Sequence, residues 1–426
     1  MFGIRKVVQM SRVSILEQLQ KLSYIRYFDV QSTTPLDPRV LEAMLPYWTW
    51  NYGNPHSKTH MFGNFSEQAI DIAREQIASL INASDPSEII FTSGATESNN
   101  ISIKGIANFI TNNNQSSRTS RPHIITCQTE HKCVLDSCRS LQYRTNAPVD
   151  VTYLPVGRDG CIDIKHLTDA IRPETCLVSI MAVNNEIGVI QPLQAIGEIC
   201  KQYNIPFHTD AAQAVGKIPL DVQSMNIHLM SISAHKMYGP KGIGALYVRR
   251  KPRVRLQPLF SGGGQERGIR SGTVPTPLAV GMGVAAEICK REMTHDKEHI
   301  TTLSRAFLDT LHQHCSHTVI NGSMEEGKRW FGNLNISFAG VEGESLMAKT
   351  PYLAVSSGSA CTSSSLEPSY VLRALGINDE LAHTSLRIGI GRFTTLEHVT
   401  RGACEIATAV KALREMSPLW DEDDEA

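Results

Sequence analysis

Short apolar runs that end in turn signals alternate with helical patterns up to about residue 248. Six of these runs predict strands, at residues 88–93, 123–128, 176–183, 206–212, 228–234 and 243–248. Between two of them, residues 192–203 have apolar side chains at helical spacing. Strands that alternate with helices form mostly parallel sheets with helices on both faces. The sequence therefore predicts an α/β fold.

The pattern changes after about residue 285, where longer helical patterns and fewer strand-like runs predict a second, smaller domain. The chain is 41% hydrophobic and 19% charged, which is typical of a globular protein. Its formal net charge of −1 favours neither nucleic acid nor a membrane surface as a partner. No run of about 18 apolar residues predicts a membrane-spanning helix.

The cysteines are scattered and do not have the paired spacing of a structural zinc site. They are residues 127, 133, 138, 161, 176, 200, 289, 315, 361 and 404. In a chain of this length the pattern favours a reducing compartment and predicts no resident metal. Residues 1–16 contain basic but no acidic side chains, which fits either an organelle presequence or a basic N-terminus.

Two predicted strands end in residues suited to chemistry. Lys236 follows the run 228–234, and a lysine at this end of a strand points into the crevice where α/β sheets bind ligands. Desolvation there makes the amine nucleophilic, although a lysine that extends to solvent is the alternative. Asp210 closes the apolar strand within the run 206–212 and would face the same crevice, where a pyridinium nitrogen is a suitable partner. Alternatively, Asp210 caps the start of the following helix.

The segment FTSGATESNN, residues 91–100, predicts a strand, a turn of small residues and a helix start. Main-chain N–H groups at a helix start attract anions, and Thr96 can add a hydroxyl. A phosphate site and a simple helix cap fit this segment equally well. Together, this segment, Asp210 and Lys236 predict a phosphate cradle, a partner for a pyridinium nitrogen and a Schiff-base lysine, in that order.

At these residues the chain resembles the class V, fold-type I pyridoxal-phosphate enzymes. More narrowly, it resembles cysteine desulfurases of the iron–sulfur cluster assembly type, close to the mitochondrial form. The resemblance covers residues 24–418. It rests on the segments 29–40, 52–57, 91–100, 129–136, 183–188, 208–222, 231–242, 261–277, 341–346, 356–376 and 391–399.

The resemblance implies the architecture of a fold-type I transferase. A large cofactor-binding domain, residues 44–285, would contain a mostly parallel seven-stranded sheet. A smaller α+β domain would combine residues 24–43 and 286–426 and would include a mobile cysteine loop at 356–366. Residues 1–23 would form an N-terminal leader or helix.

The resemblance also implies how pyridoxal 5'-phosphate is held. Lys236 would bind it covalently, Asp210 would pair with its pyridine nitrogen, and Gln213 would donate a hydrogen bond to its phenolic oxygen. Thr273 would reach the phosphate from the other subunit, which implies a homodimer. Further cofactor contacts are implied for Ala95, Thr96, Asn185, Ser233 and His235.

Three further residues would serve the reaction. His131 would stack on the cofactor ring and assist Lys236 in proton transfer, although a surface histidine is the alternative. Arg387, with Asn185, would bind the carboxylate of L-cysteine, because a bidentate guanidinium suits that group.

Cys361 lies among small residues in SSGSACTSSS, residues 356–365. The resemblance implies that its thiolate takes the sulfur of L-cysteine, which leaves L-alanine and a Cys361 persulfide. A Ser/Gly-rich segment is flexible and could carry that sulfur to an acceptor protein. An idle thiol in a linker is the alternative.

The resemblance implies delivery of sulfur to an iron–sulfur scaffold protein, where Cys361 could transiently contact iron or a cluster, and it leaves tRNA thiolation open. A LYR-type adaptor with an acyl carrier protein and a frataxin-like activator would also bind. The expected location is the mitochondrial matrix or a mitosome, with a bacterial cytoplasm as the alternative. Three other functions stay open: a selenocysteine lyase, another pyridoxal-phosphate aminotransferase, and an inactive assembly subunit.

Overall fold

The computed structural model describes residues 25–113, 121–357, 367–417 and 420. The strands in these residues are β1 (Arg26–Tyr27), β2 (Ile89–Thr92), β3 (His123–Cys127), β4 (Asp150–Leu154), β5 (Thr175–Ser179), β6 (Phe207–Asp210), β7 (Leu229–Ser233), β8 (Gly244–Val248), β9 (Thr318–Ile320), β10 (Asn333–Phe338), β11 (Leu353–Ala354), β12 (Ser356–Ser357) and β13 (Leu386–Gly389). The α-helices are α1 (Pro38–Thr49), α2 (Met61–Leu80), α3 (Ala95–Asn113), α4 (Lys132–Gln142), α5 (Ile164–Ala170), α6 (Leu193–Gln202), α7 (Thr276–His314), α8 (Gly343–Lys349), α9 (Tyr370–Ala374), α10 (Asp379–His383) and α11 (Leu396–Glu415).

In the described residues, seven strands form one sheet in the order β2-β8-β7-β6-β5-β3-β4. Strand β8 runs antiparallel to both neighbours, and the other neighbouring pairs are parallel. The predicted mostly parallel seven-stranded sheet is confirmed. The six apolar runs correspond to β2, β3, β5, β6, β7 and β8. Strand β4 escaped prediction because it is a half-exposed edge strand that lacks a continuous apolar run.

Neighbouring residues of the central strands pack into two apolar clusters. Ile124 and Ile125 of β3 belong to different clusters, and so do Leu177 and Val178 of β5. Side chains along a strand alternate between the two faces of a sheet, so each face has its own core. All four side chains are completely buried. The helices therefore cover both faces, as expected for a parallel sheet.

Helix α7 packs against α1, α2 and α11 and joins the two parts of the molecule. Its close approach to α2 depends on Gly283, where a Cβ atom would lie 2.5 Å from the Cα of Ala73. The helix continues through the predicted domain boundary after residue 285, and α1 continues through the one after residue 43. The proposed division into domains therefore stays a prediction.

The C-terminal part has its own antiparallel sheet, in the order β12-β13-β10-β9. Strand β1 pairs with β11 in parallel, which attaches the segment before α1 to this part of the molecule. None of the helices in the described part of the chain is both long and apolar enough to cross a membrane.

Candidate active site

A cavity of about 540 Å³ lies at the carboxyl ends of the parallel strands. This is the edge at which α/β sheets bind ligands. The predicted site residues that line it are Ala95, Thr96, His131, Asn185, Asp210, Gln213, Ser233, His235, Lys236 and Arg387. The fold therefore brings together side chains from distant parts of the sequence, and their chemical roles stay predictions.

Lys236 ends a short 3₁₀ turn, Ala234–Lys236, that directly follows β7. Its Nζ donates hydrogen bonds to the main-chain carbonyls of Gln31 and, at 2.9 Å, Ser32. Both carbonyls belong to the segment between β1 and α1. This segment therefore holds the lysine amine at the cavity wall.

Asp210 is the last residue of β6 and is 6% exposed. Its Oδ2 accepts a hydrogen bond from Asn99 Nδ2 at 2.7 Å, and its Oδ1 accepts one from the N–H of Ala212 at 3.0 Å. Donors of this kind stabilise the ionised carboxylate. Asp210 is therefore suited to pair with a cationic group in the cavity.

The N-terminus of helix α3 forms one wall of the cavity, with Ala95 and Thr96 in its first turn. The first N–H groups of a helix have no acceptor within the helix and carry partial positive charge. The Ser233 hydroxyl and the His235 imidazole also line the cavity. Burial and the neighbouring charge of Lys236 lower the pKa of His235 to about 4, so its ring is neutral near pH 7. These donors suit an anion such as a phosphate.

His131 caps helix α4, and its Nδ1 accepts a hydrogen bond from the N–H of Cys133 at 3.2 Å. Because Nδ1 accepts, the neutral ring carries its proton on Nε2. The Sγ of Cys133 lies 3.0 Å from the same Nδ1 and accepts a hydrogen bond from Asn99 at 3.1 Å. Asn99 also donates to Asp210, so a hydrogen-bond network links the imidazole to that carboxylate.

Arg387 lies on β13 and is 3% exposed. Its Nη2 donates to Asp29 Oδ1 at 2.8 Å and to Ser32 Oγ at 2.7 Å, and its Nη1 donates to the carbonyl of Asn185 at 3.2 Å. Its buried Nε has no hydrogen-bond partner among the described residues. A buried guanidinium with an unused donor is suited to an anionic ligand such as a carboxylate.

Two glutamates next to the cavity residues are almost completely buried. Glu130 precedes His131 and accepts a hydrogen bond from the N–H of Met181 at 2.6 Å, and burial raises its pKa well above the ordinary range. Glu186 follows Asn185 and accepts a hydrogen bond from the Ser369 hydroxyl. Burial raises the pKa of Glu186 to about 7. Glu186 therefore changes its charge near neutral pH.

Glu186→Gln is expected to remove part of the pH dependence of stability. The folded pKa of about 7 lies above the ordinary value of 4.5, so the folded protein holds this proton more tightly than the unfolded chain. The stabilisation is complete below about pH 4.5 and is lost as the pH rises through about 7. Relative to wild type, the unfolding free energy of the variant should rise by about 1–3 kcal/mol between about pH 5 and pH 8 in urea denaturation. Glu42→Gln, at an exposed position, is the control, and equal pH profiles for both variants would contradict the assignment.

Two predicted residues do not take part in the described cavity. Thr273 is exposed and does not line it, and the prediction had assigned Thr273 to the site of a partner subunit. Cys361 lies outside the described residues. No cluster of three or more possible metal-ligating side chains occurs in the part of the chain that the structure describes.

The described residues on either side of Cys361 lie beside site residues. On one side, Ser356–Ser357 form β12, which pairs with β13 at Arg387. The Ser356 hydroxyl also donates to Asp29, the partner of Arg387. On the other side, Ser369 is hydrogen-bonded to Glu186. Ser356 therefore pairs with the strand that carries Arg387, and Ser369 contacts the residue that follows Asn185.

The cavity wall also includes residues to which sequence reasoning gave no role. Five of them are Gln31, Ser32, Thr33, Cys133 and Lys241. All five lie within segments that carry the family resemblance, so a signal was present. The contribution of Gln31 and Ser32 was missed because they act through main-chain carbonyls, whose contacts depend on tertiary structure.

Comparisons with known proteins agree with the geometry. The chain is 60% identical over 395 residues to the mitochondrial cysteine desulfurase of Drosophila melanogaster, covering 93% of this chain and 83% of the fly protein. It is 57% identical over 404 residues to the cysteine desulfurase IscS of Rickettsia africae (strain ESF-5), covering 95% of each chain.

Solved structures show the same fold. A NifS-like protein superposes with a TM-score of 0.82 at 33% identity, covering 91% of this chain and 100% of the other. SspA in complex with cysteine superposes with a TM-score of 0.75 at 39% identity, covering 87% of this chain and 100% of the other. Residues 26–401 match the aminotransferase class-V family. The chain therefore belongs to the aminotransferase class-V family and, within it, to the cysteine desulfurases.

Proposed function

We propose that this protein is a cysteine desulfurase that converts L-cysteine to L-alanine and leaves a persulfide on Cys361. The observation that carries the proposal is one cavity lined by Lys236, Asp210 and Arg387, in a chain 60% identical to a named cysteine desulfurase. The named relatives act on cysteine, and the solved structure of SspA contains cysteine. A cysteine desulfurase reaction is compatible with the side chains that line this cavity.

The donor set of the cavity fits pyridoxal 5'-phosphate, the cofactor of this enzyme family. The N-terminus of α3 and the hydroxyl of Thr96 suit its phosphate, and Asp210 suits its pyridine nitrogen. The buried Oδ1 of Asn185 has no hydrogen-bond partner in the described residues, so this side chain can still bind a ligand. When bound, pyridoxal phosphate supplies an electron sink that weakens the bonds at the substrate Cα.

Lys236 is the residue that we assign to proton transfer at the substrate Cα. Its Nζ is held at the cavity wall by the carbonyls of Gln31 and Ser32, which orient the amine. General-base catalysis requires such an amine within hydrogen-bond reach of the proton. His131, with its proton on Nε2, lies in the same cavity and can assist by donating a hydrogen bond to the substrate.

Arg387 is the residue that we assign to the substrate carboxylate. Asp29 and Ser32 hold its guanidinium in place, so the donors are oriented before substrate arrives. A carboxylate bound to this guanidinium would make charge-assisted hydrogen bonds. The substrate would thereby be held with its sulfur on the side opposite its carboxylate anchor.

Arg387→Lys is expected to raise KM for L-cysteine by about 10- to 100-fold, because an ammonium group cannot form the bidentate contact. Cofactor content should stay near that of the wild type. Steady-state kinetics of alanine formation measures the change. Arg373→Lys, at an exposed arginine paired with Asp379, is the control. An unchanged KM for Arg387→Lys would rule out the carboxylate role.

Sulfur transfer to Cys361 conserves atoms and electrons. The Cys361 thiolate forms an S–S bond with the substrate sulfur as the substrate C–S bond breaks. The electron pair of the broken bond stays on the substrate carbon, and a proton supplied from the Lys236 ammonium completes alanine. The products are alanine and a Cys361 persulfide, and no external oxidant or reductant is consumed.

The direct test is to supply L-cysteine to purified protein and measure alanine, and sulfide after reduction. We expect equal amounts of both products. Transamination without sulfide would favour an aminotransferase, and turnover of selenocysteine alone would favour a selenocysteine lyase. Absence of bound cofactor and of turnover would favour an inactive assembly subunit.

We further propose that the protein is a homodimer in which Thr273 serves the partner's cavity. Exposed apolar side chains concentrate on α1 and α2 and the segment between them, including Leu45, Trp48, Trp50 and Phe62. Exposed apolar patches of this kind mark interaction surfaces. Sedimentation equilibrium should give a dimer for the wild type and a monomer for Trp48→Glu. A wild-type monomer would contradict this assignment.

The cellular setting that we propose follows the named relatives. One is mitochondrial and another is a bacterial IscS, so the mitochondrial matrix or a mitosome is our assignment and a bacterial cytoplasm is the alternative. An iron–sulfur scaffold would receive the Cys361 sulfur. A LYR-type adaptor with acyl carrier protein and a frataxin-like activator are further proposed partners. Cofractionation with organelle markers tests the location.

A further inference from the structure

Lys217 is a buried cation that the proposed reaction does not use. Its side chain is 9% exposed, and burial together with repulsion from Lys236 lowers its pKa to about 7. The preceding Gly216 has a φ of +76°, and a Cβ there would lie 2.8 Å from Cys289 Sγ. The chain thus turns tightly against α7 just before the lysine. Burying a lysine is costly, so its hydrogen-bond partner is informative.

That partner is Gln213, one of the predicted cofactor contacts. Lys217 Nζ donates to Gln213 Oε1 at 2.7 Å. On the other side of the amide, Gln213 Nε2 donates to the carbonyl of Gln31 at 2.9 Å. The same carbonyl accepts a hydrogen bond from Lys236. The two lysines are therefore connected through the Gln213 amide and one main-chain carbonyl.

These contacts determine which way the Gln213 amide faces. In its ammonium form, Lys217 has donors and no acceptor, so this form requires the amide oxygen. A main-chain carbonyl only accepts, so Gln31 requires the amide NH₂. Reversing the amide would place two donors against each other at Lys217 and two acceptors against each other at Gln31. Both neighbours thus select the same orientation.

We infer that Lys217 is a positioning residue, which donates to Gln213 Oε1 and so keeps the Gln213 NH₂ available as a hydrogen-bond donor to the cofactor. The inference rests on the proposed pyridoxal-phosphate site, in which Gln213 donates to the phenolic oxygen. Lys217 itself acts through Gln213 and has no contact with the substrate. Without Lys217, only the Gln31 carbonyl still selects this orientation, so the reversed amide, whose oxygen repels the phenolic oxygen, is more populated.

The test is a double-mutant cycle on cofactor binding. Apo-protein is titrated with pyridoxal phosphate for wild type, Lys217→Met, Gln213→Ala and the double variant, and the visible absorbance of the bound cofactor is recorded. We expect each single variant to weaken binding about tenfold and to shift the absorbance band. If Lys217 acts through Gln213, the double variant should bind no more weakly than Gln213→Ala.

An approximately 100-fold loss in the double variant would mean independent effects and would overturn the inference. Unchanged affinity and absorbance in Lys217→Met would overturn it as well. Lys290→Met, at an exposed lysine on α7, is the matched control and should behave as wild type. Failure of the wild type itself to bind pyridoxal phosphate would instead refute the proposed function, so the two failures are distinguishable.

A second variant separates positioning from packing. Lys217→Arg retains a side chain with donors only, and we expect binding within about threefold of wild type and an unshifted band. Lys217→Gln, whose amide can donate or accept, should bind more weakly than Lys217→Arg. This comparison applies even if Lys217→Met does not fold. Equal binding by the Arg and Gln variants would overturn the inference.

Discussion

Lys236→Ala is expected to lower the rate of alanine formation from L-cysteine by at least about 10³-fold. Under the proposed mechanism, the variant lacks both the residue that holds the cofactor covalently and the base at the substrate Cα. In the wild type, the main-chain carbonyls of Gln31 and Ser32 hold the Lys236 Nζ at the cavity wall. Lys241 is another lysine that lines the described cavity. Lys241 lies five residues further on and is exposed, so it is poorly placed to replace a desolvated amine.

Two measurements check the role of Lys236. Alanine formation gives the rate, and dialysis followed by a visible spectrum shows whether cofactor is still held covalently. We expect the variant to lose cofactor on dialysis, because only non-covalent contacts such as that of Asp210 remain. Lys201→Ala, at an exposed lysine on α6, should keep wild-type rate and colour. A variant at position 236 that retains more than a few per cent of the native rate would show that another group is the base.

The strands β5, β6 and β7 are buried along their whole length, and each had been predicted from a short, mostly apolar run. Complete burial was not sufficient for prediction, because β10 and β13 are also buried along their whole length and were not predicted. Strand β4 was missed because half-exposed positions leave no such run. The continuity of α7 across residue 285 was also not predicted, because a helix that serves two packing surfaces changes its apolar pattern without ending.

The residues of the candidate site also divide into those that the sequence predicted and those that it did not. Lys236 and Asp210 were predictable because each follows a buried strand, and the topology of a parallel sheet places strand ends together. The main-chain acceptors of Gln31 and Ser32 were not predictable, because a carbonyl has no sequence signature. Gln31 also lies 205 residues from its lysine partner. Lys217 stands four residues after Gln213, yet the two lie in a run of turns where helical spacing gives no guide.

Cys361→Ala is expected to retain bound cofactor and to lose sulfur transfer by on the order of 10³-fold or more, as when a nucleophile is removed. The structure supplies a rival thiol, because Cys133 lines the cavity and lies 3.0 Å from His131 Nδ1. Cys361 is four residues from Ser357, a separation of at most about 14 Å along an extended chain. Ser357 lies on β12, opposite Leu386 and next to Arg387. The thiol is therefore within reach of the cavity.

The experiment compares Cys361→Ala with Cys133→Ala and with Cys404→Ala, which removes an exposed thiol on α11. Each protein is exposed briefly to L-cysteine and digested, and mass spectrometry locates the added sulfur. We expect the sulfur on the peptide that contains Cys361 in wild type and in both control variants, and on no peptide in Cys361→Ala. Sulfur found on Cys133 would make that residue the acceptor, because a thiolate beside an imidazole is also a competent nucleophile. Cluster assembly at the native rate by Cys361→Ala, with cysteine as the sulfur source, would rule out the persulfide role of Cys361.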